Sequence, residues 1–555
     1  MSEREILRDV YAKKSLSQIP RMLGNMDRNQ FSPTYGCFHR DFWLDKTIDF
    51  PDAVRQFGIH ALALVYKFKF PGNIYYNNKK VLEWIKAGLN YWSSIQHKDG
   101  SFDEFYPNER GWVGPTAFTT FTSIESLDLI KNEVSKEFFN KIKKTIIISA
   151  NFIAKGESEE DHLANHHAMA CLAVWKAYKL TKDDKLFRGY KKLWKGFLSY
   201  HNSDEGWSKE YDGIDPGYLS ATISFLGKIY QDNKNNEIFE VCKKSIETCS
   251  YFVYPNGFYA GSLGSRNTLH FYTHGFEIFS KEISIASSIK NKMLIALSQD
   301  KLVPPEIMSD RYLFYRVPEL LQSFLDYTQI NNHEPKLPYE LDNINIYLNK
   351  AKIWVNSNKK NYIIANLAKG GVIKIFDKQN TNLIYNDCGL IGKLANQKQI
   401  TTQWIDPKNS IKIDEKGFKI SGKFNFFPTN KYFNTYKFII FRIILMLIGW
   451  KPSWAHWLKG TIRKILMLGT RQAPMDFEID LTVSGEKIEI QKKIRKLNNK
   501  LKIVKLSSGG EFFVRYVPQS RYFQNQELNI TEYNFKPEEL KAINNNEKLI
   551  KKFEV

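Results

Sequence analysis

The sequence predicts an α+β chain in two parts: an N-terminal α/α-toroid of helical hairpins over residues 1–335, then a basic antiparallel β-sandwich over residues 350–555. A glycine-led loop recurs at near-constant spacing through the first part. Hydrophobic periodicity changes from helical to alternating near Lys350. The charge changes with it. Residues 351–555 hold 36 Lys and Arg against 17 Asp and Glu, a net of +19, whereas residues 1–350 hold 44 against 42, a net of +2. At 555 residues the chain exceeds the roughly 100–200 of a single domain. Its 43% hydrophobic and 14% aromatic composition suits large cores and excludes a mainly disordered protein.

The helical part runs from about Ile48 to Leu325. AVRQFGIHALALVYKF, AMACLAVWKAYKL and LSATISFLGKIYQ carry apolar residues at helical spacing. Between such stretches stand DGSFDEFYPNERGW from Asp99, KGESEEDHLANHH from Lys155, EGWSKEYDGIDPGY from Glu205 and NGFYAGSLGSRNT from Asn256. Their leading glycines, Gly100, Gly156, Gly206 and Gly257, lie 56, 50 and 51 residues apart. That period fits one helical hairpin, and repeated hairpins stack or close into a ring. Closure brings the equivalent loops to one mouth.

After Lys350 the segments are short, β-branched or aromatic, and divided by Gly, Asn and Ser. IWVNSNKKNYIIANLAKGGVIKIFD, GFKISGKFNFFP and FEIDLTVSGEKIEIQKKIRK read as antiparallel strands, most economically a sandwich. The boundary is placed in the polar stretch Asn331–Asn349.

Five cysteines without a CxxC pair argue against a disulfide scaffold or a thiolate zinc site. Met1–Ser15 has no apolar core, so no secretory signal is read. The longest apolar run, Phe438–Trp450, is broken by Arg442 and falls short of the ~20 residues of a spanning helix. Yet between Glu415 and Asp476 the chain has eleven Lys or Arg and no acid, with Trp450, Trp454 and Trp457 in the middle. These are the ingredients of a helix lying in a bilayer interface. Residues 432–470 are therefore read as a hydrophobic basic insertion touching an anionic membrane surface, in which Phe438–Leu468 is expected to form one or two amphipathic helices projecting from the β part, with Ile439, Ile443, Leu447, Trp450 and Trp454 exposed. The competing reading is a packed hairpin with snorkelling cations. The expected localisation is cytoplasmic, peripheral on the inner face of the membrane. No nucleic-acid-binding motif stands out, and no nucleic-acid partner is expected.

The loops carry unusual chemistry for surface turns. The second supplies Asp161, His162, Asn165, His166 and His167; the third Glu210, Tyr211, Asp212, Asp215 and Tyr218; the fourth Arg266, Asn267, His270, His274 and Glu277. YGCFHRDFW adds His39, Arg40, Asp41 and Trp43, and the first loop adds Trp112. Carboxylates, imidazoles, amides, phenols and aromatic platforms at one mouth suit a carbohydrate.

The Asn-His pair opening NHHAMACLAVWKAY is followed 53 positions later by Tyr218, after Gly206, Glu210 and Pro216. Together with NYIIANLAKGGVIKIFD…LIYNDCGL in the second part, this resembles the heparinase II/III-like polysaccharide lyases. The resemblance implies a carbon–oxygen lyase on an acidic polysaccharide, with Tyr218 at the catalytic tyrosine position. The His-Asp element that can bind metal in that family is missing from the second part, and neither a metal nor a cofactor is expected.

The chemistry can be followed without the resemblance. Cleaving a uronide by β-elimination removes the proton α to a carboxylate, so the developing charge must be neutralised. Asn165, with Arg266 or a protonated His166, can donate hydrogen bonds there. A base must reach C5 and an acid the leaving oxygen. Tyr218 fits either role if nearby positive charge lowers its phenol from ~10, and an imidazole at His166 is the natural partner base. Asn165, His166, Tyr218 and Arg266 are thus the candidate catalytic residues, expected to line one concave pocket. Glu210, Tyr211, Asn267, His270, His39, Arg40 and Trp112 are the candidate substrate-binding residues. The substrate is an acidic polysaccharide or a lipid-linked glycan.

Each residue has a plainer reading. Asn165 is a common N-cap residue, His167 suits packing or surface, and Tyr218 is one of 29 tyrosines. Arg266 could cap a helix or pair with Glu277; Trp43 and Trp112 suit a core. Glu210 and Asp215 could form a two-carboxylate hydrolase pair. At the level of function, a uronyl C5-epimerase or hydrolase of polysaccharide biosynthesis and a non-catalytic, membrane-associated glycan-binding protein are the alternatives.

Overall fold

The computed structural model describes residues 3–555 except 111, 156–161, 330–333, 428–433, 464–470, 511–521 and 530–531. Gly156 and Asp161 of the second loop, and both ends of the 432–470 insertion, lie outside the described residues.

The helical part is a closed double ring. Among the described residues its inner layer comprises Gly58–Lys67, Val113–Ile130, Ala164–Thr181, Pro216–Asn233, His274–Phe279 and Asp310–Leu325, and the last packs on the first. Lys79–Ser94, Lys136–Ala154, Asp184–Leu198, Asn236–Ser250 and Ser284–Ser298 alternate with them on the outside, and Glu3–Leu16 completes the outer layer. Sequence pattern separates the layers. The outer helix Asp184–Leu198 buries Leu186, Tyr190, Leu193, Trp194 and Phe197, a single stripe at helical spacing. The inner helix Val113–Ile130 is buried nearly all round and rich in Thr, Ser, Ala and Gly, small enough for neighbours to approach on both sides. Outer helices start on Asn78, Ser135, Asp183 and Asn235, whose side chains accept from backbone N–H groups two or three residues on.

The recurring glycines have a tertiary cause. Gly100 (φ +96°) lies against the Ile148 carbonyl of the next outer helix, where an added Cβ would sit 2.6 Å from its oxygen. Gly206 (φ +64°) meets the Lys244 carbonyl in the same way at 2.2 Å. Gly36 (φ +97°) meets the Ala87 carbonyl at 2.2 Å and extends the series by one repeat toward the N-terminus. Gly206→Ala combines a left-handed backbone with a backbone clash and should cost on the order of 3 kcal/mol. Gly72→Ala is the control, since its φ of +73° faces open space and only backbone strain remains. Urea unfolding of the two variants measures the difference.

Inside the ring, charges lock the inner helices together below the mouth. The Lys228 ammonium donates to Ser224 Oγ (2.8 Å) and Glu319 Oε2 (3.0 Å) and contacts His274 Nδ1 (2.7 Å). Burial alone would raise the Glu319 carboxyl, but Lys228, His274 and Arg316 hold it down at about 2.

Among the described residues the β part holds two sheets. Ile344–Leu348, Ile353–Ser357, Asn361–Asn366, Val372–Asp377 and Asn382–Asp387 form an antiparallel meander. Its first strand lies within the polar stretch where the sequence places the boundary. The larger sheet has nine strands among the described residues, with Gly417–Phe427, Gln472–Ser484 and Lys487–Lys496 at its centre. The smaller sheet is buried on both faces. Ile353, Val355, Tyr362 and Ile364 join the core of the ring, while Trp354, Ile363, Ala365 and Ile373 pack with Phe418, Ile420, Phe477 and Ile479 of the larger sheet.

Between neighbouring strands of the larger sheet, the insertion forms two helices, Thr435–Ile448 and Pro452–Arg463. They do not stand clear of the molecule, as a simple projection would. Arg442 Nη2 pairs with Asp49 (2.9 Å), and Arg110 Nη1 donates to the Trp450 carbonyl (2.9 Å). Lys459 Nζ reaches Glu109 Oε1 (3.4 Å) and lies 2.8 Å from the centroid of the Trp112 ring. One edge of the pair is therefore seated on the first glycine loop of the ring.

Candidate active site

The inner helices begin at one end of the ring, and the residues that open them gather there. Trp112 precedes Val113–Ile130; Asn165 and His166 lie in the first turn of Ala164–Thr181; Tyr218 lies in the first turn of Pro216–Asn233; Arg311 and Tyr312 lie in the first turn of Asp310–Leu325. Helix N-termini carry partial positive charge, so this end favours an anion.

Asp215 places Tyr218. Its carboxylate caps the helix by accepting from the Tyr218 N–H (3.2 Å), with Pro216 fixing the first turn. The other carboxylate oxygen accepts from the backbone N–H groups of Arg266 (2.8 Å) and Thr268 (3.4 Å), which ties the third loop to the fourth. Glu210 makes the second tie. It ends the strand Trp207–Glu210 of a small three-stranded sheet. Its Oε1 accepts from the Asn165 backbone N–H (2.8 Å) and from Asn165 Nδ2 (2.7 Å), and its Oε2 pairs with Arg266 Nη1 (3.2 Å). The Arg266 guanidinium then lies 3.9 Å from the centroid of the Tyr218 ring and 5.0 Å from that of Tyr211. A continuous line of contacts thus runs from Asn165 through Glu210 and Arg266 to Tyr218.

The electrostatics follow from burial. Glu210 and Asp215 are raised above the ordinary carboxylate range by burial, with Arg266 opposing. Burial by itself would lower Arg266, but Tyr218, Tyr211, Glu210 and Asp215 outweigh it and keep the guanidinium charged. The Tyr218 hydroxyl stands outside these bonds. It is 1% exposed and has no hydrogen-bond partner among the described residues. An unpaired buried hydroxyl costs about 1–3 kcal/mol. Burial pushes this phenol well above its usual value, and Arg266 pulls it the other way.

His166 faces a different neighbourhood, between the rings of Trp112 (centroids 6.0 Å apart) and Phe118 (5.6 Å). It lines a cavity of about 40 Å³ together with Val54, Phe57, Glu104, Phe118, Arg311, Tyr312 and Tyr315. That volume holds roughly one water molecule, so a sugar ring enters only if the rim widens. The rim is the first glycine loop, where Glu104 pairs with Arg311 and Phe105 lies under the Arg311 guanidinium (4.2 Å). Glu109 underpins this loop by accepting from the N–H groups of Glu104 (3.0 Å) and Phe105 (2.8 Å). Burial pushes Glu109 up to about 7, with Lys459 opposing.

Several expectations need correction. Of the four candidate catalytic residues only His166 lines the cavity; Asn165, Tyr218 and Arg266 are buried behind its wall. Asn165 is not an N-cap: Leu163 holds that position, and the Glu210 carboxylate performs the capping from another loop. Glu210 and Asp215 are both occupied by these structural bonds, which removes the room a hydrolase pair needs for water. Asn267 points away from the mouth and accepts from Lys369 of the β part, whose ammonium also donates to the carbonyls of Ser262 and Gly264 (2.8 Å each). His39 is buried behind the segment Ala53–Phe57 and accepts from the Asp52 N–H (2.9 Å); burial, reinforced by Arg55, lowers it to about 4. Arg40 is exposed and faces Asp45 (3.4 Å). Tyr211 lies under Arg266, and His270 is buried beside Tyr272 and Tyr312. Trp112 stacks on Phe105 (5.2 Å).

The structure adds Glu104, Arg311, Tyr312 and Tyr315, which the loop pattern does not single out. Glu104 lies in the first glycine loop, and the only sequence signal of the others is RYLFYR, which sets Arg311, Tyr312 and Tyr315 on neighbouring faces of one helix. Among the described residues no cluster of three or more His, Cys, Asp or Glu could hold a metal ion.

Comparison with known proteins agrees with this architecture. Residues 69–275 match the family model described as the ulvan lyase N-terminal domain. No curated protein matches the chain. Among solved structures, the Streptomyces coelicolor A3 chondroitin AC lyase in complex with chondroitin sulphate is similar to 92% of this chain over 71% of its own, with TM-score 0.53 and 8% identity. A Paenibacillus xanthan lyase is similar to 90% of this chain over 46% of its own, with TM-score 0.51 and 10% identity. An unsaturated glucuronyl hydrolase specific for heparin matches 59% of this chain with TM-score 0.41 and 10% identity. The chain therefore has a polysaccharide lyase-like fold, a helical toroid followed by an antiparallel β part.

Proposed function

We propose that this protein is a polysaccharide lyase that removes the C5 proton of a uronic-acid residue and cleaves the glycan by β-elimination. The observation that carries the reading is the buried, unpartnered Tyr218 hydroxyl held beside the Arg266 guanidinium at the mouth of a lyase-like toroid. The neighbouring carboxylates Glu210 and Asp215 are satisfied, and a buried phenol left unpaired beside a cation suits a proton transfer.

Burial behind the cavity wall holds Tyr218 protonated, so it is cast as the acid that protonates the leaving glycosidic oxygen once the rim widens to admit the sugar. His166, on the cavity wall, is cast as the base at C5. Arg311 is the cation placed to meet the uronate carboxylate, and the helix N-termini around the mouth add to the same field. Glu210 and Asn165 hold Arg266 in place and touch no substrate in this scheme.

Mass spectrometry of the products tests it. With a panel of uronate-containing polysaccharides in the presence of protein, each new non-reducing end should lack the elements of water relative to a hydrolysis product. Saturated ends would assign the toroid to hydrolysis. Intact chains that acquire solvent deuterium at C5 would assign it to epimerisation, which shares the first proton transfer.

A further inference from the structure

The helical pair 435–463 is the least expected surface of the molecule. Its outward side exposes Ile439, Met446, Leu447, Trp450, Trp454 and Trp457, with Met446 and Leu447 each 65% and Trp457 62% exposed. Soluble surfaces scatter such residues singly, and a contiguous patch of this kind marks a contact with something apolar. Trp450 and Trp454 pack edge to face (6.3 Å), with the Lys451 ammonium 4.8 Å from the Trp454 ring.

We propose that this face docks on an anionic lipid bilayer and sets the mouth of the toroid against the membrane surface. Length excludes crossing. Fourteen residues of helix span ~21 Å, short of the ~30 Å hydrocarbon core, and no helix among the described residues is long and apolar enough to cross. A helix lying in the interface instead buries an apolar side, keeps tryptophans at headgroup depth and carries cations toward anionic lipid. The charge pattern fits that partner. No acid occurs between Glu415 and Asp476, and Lys437 and Lys451 are exposed and pair with no carboxylate among the described residues. A second copy of the chain would bring another acid-free cationic face against the first, whereas anionic headgroups complement it.

The docking side and the cavity share a wall. Lys459 and the Trp450 carbonyl hold Glu109, Trp112 and Arg110, and the same loop contributes Glu104 to the cavity. A glycan attached to a lipid or lying along the membrane would therefore meet the mouth first. Docking itself does not depend on which reaction the site performs.

The test is flotation of the full chain with vesicles of phosphatidylglycerol and phosphatidylcholine, and with phosphatidylcholine alone. The protein should float with the anionic vesicles, less so as salt rises, and remain at the bottom with neutral ones. The triple variant Trp450→Ser, Trp454→Ser, Trp457→Ser should keep its circular dichroism spectrum, because these side chains face outward, and should lose about tenfold or more of its vesicle partitioning even at low salt. Sedimentation of the wild type with both vesicle types overturns the proposal, as does unchanged flotation of the variant. Light scattering showing a dimer that the same substitutions dissociate would also overturn it, reassigning the face to a copy of this chain.

Discussion

Tyr218→Phe is expected to cut turnover by ~10²–10⁴ while leaving the protein at least as stable as the wild type. The two halves have separate causes. The ring remains buried under Arg266, so packing is kept. The hydroxyl that is lost has no hydrogen-bond partner among the described residues, so its removal relieves desolvation rather than breaking a bond. Steady-state rates and urea midpoints on one preparation measure both. If the variant were less stable by more than about 1 kcal/mol, the hydroxyl would be a structural hydrogen-bonding group. If it were fully active, the acid role would pass to a group on the cavity wall, with Tyr312 the first candidate.

Arg266→Met should have the opposite profile and lose both stability and activity. It strips the cation from Glu210, a carboxylate 1% exposed, whose other bonds come from Asn165. Breaking a buried pair on one side costs about 3–5 kcal/mol. Glu210 is already raised above the ordinary carboxylate range by burial, and loss of Arg266 raises it further. A raised folded-state value means that the charged form is the unfavourable one. The variant should therefore be most stable below the ordinary carboxylate value of ~4.3 and should lose stability as pH rises through the raised value of Glu210. Adding Glu210→Gln to Arg266→Met should recover part of the loss at neutral pH and flatten this dependence. Thermal melts of both variants from pH 4 to 8 measure it.

How far the sequence foretells the site depends on whether a feature is local or belongs to the closed ring. Gly100 and Gly206 are legible because each is demanded by one carbonyl of the next outer helix, a contact that Gly36 shares. The exposed side of 435–463 is legible because its apolar and basic residues are contiguous in the chain. Arg311, Tyr312 and Tyr315 are not, because they reach the mouth only when Asp310–Leu325 closes on Gly58–Lys67. Asn267 misleads for a similar reason: its place in the fourth loop suggests substrate, but Lys369 arrives from the β part to claim it. Asn165 and Glu210 are correctly grouped by their loops, yet their direct bond makes them supports for Arg266 rather than faces of the cavity.

β-Elimination assisted by Tyr218 is measured most directly by ultraviolet absorbance during digestion of uronate-containing polysaccharides by wild type and Tyr218→Phe in parallel. Elimination creates a double bond conjugated to the carboxylate. Absorbance should rise with wild type in step with new reducing ends, and ~10²–10⁴ more slowly with the variant. New reducing ends without any rise in absorbance, from wild-type protein on a substrate it cleaves, would rule out β-elimination.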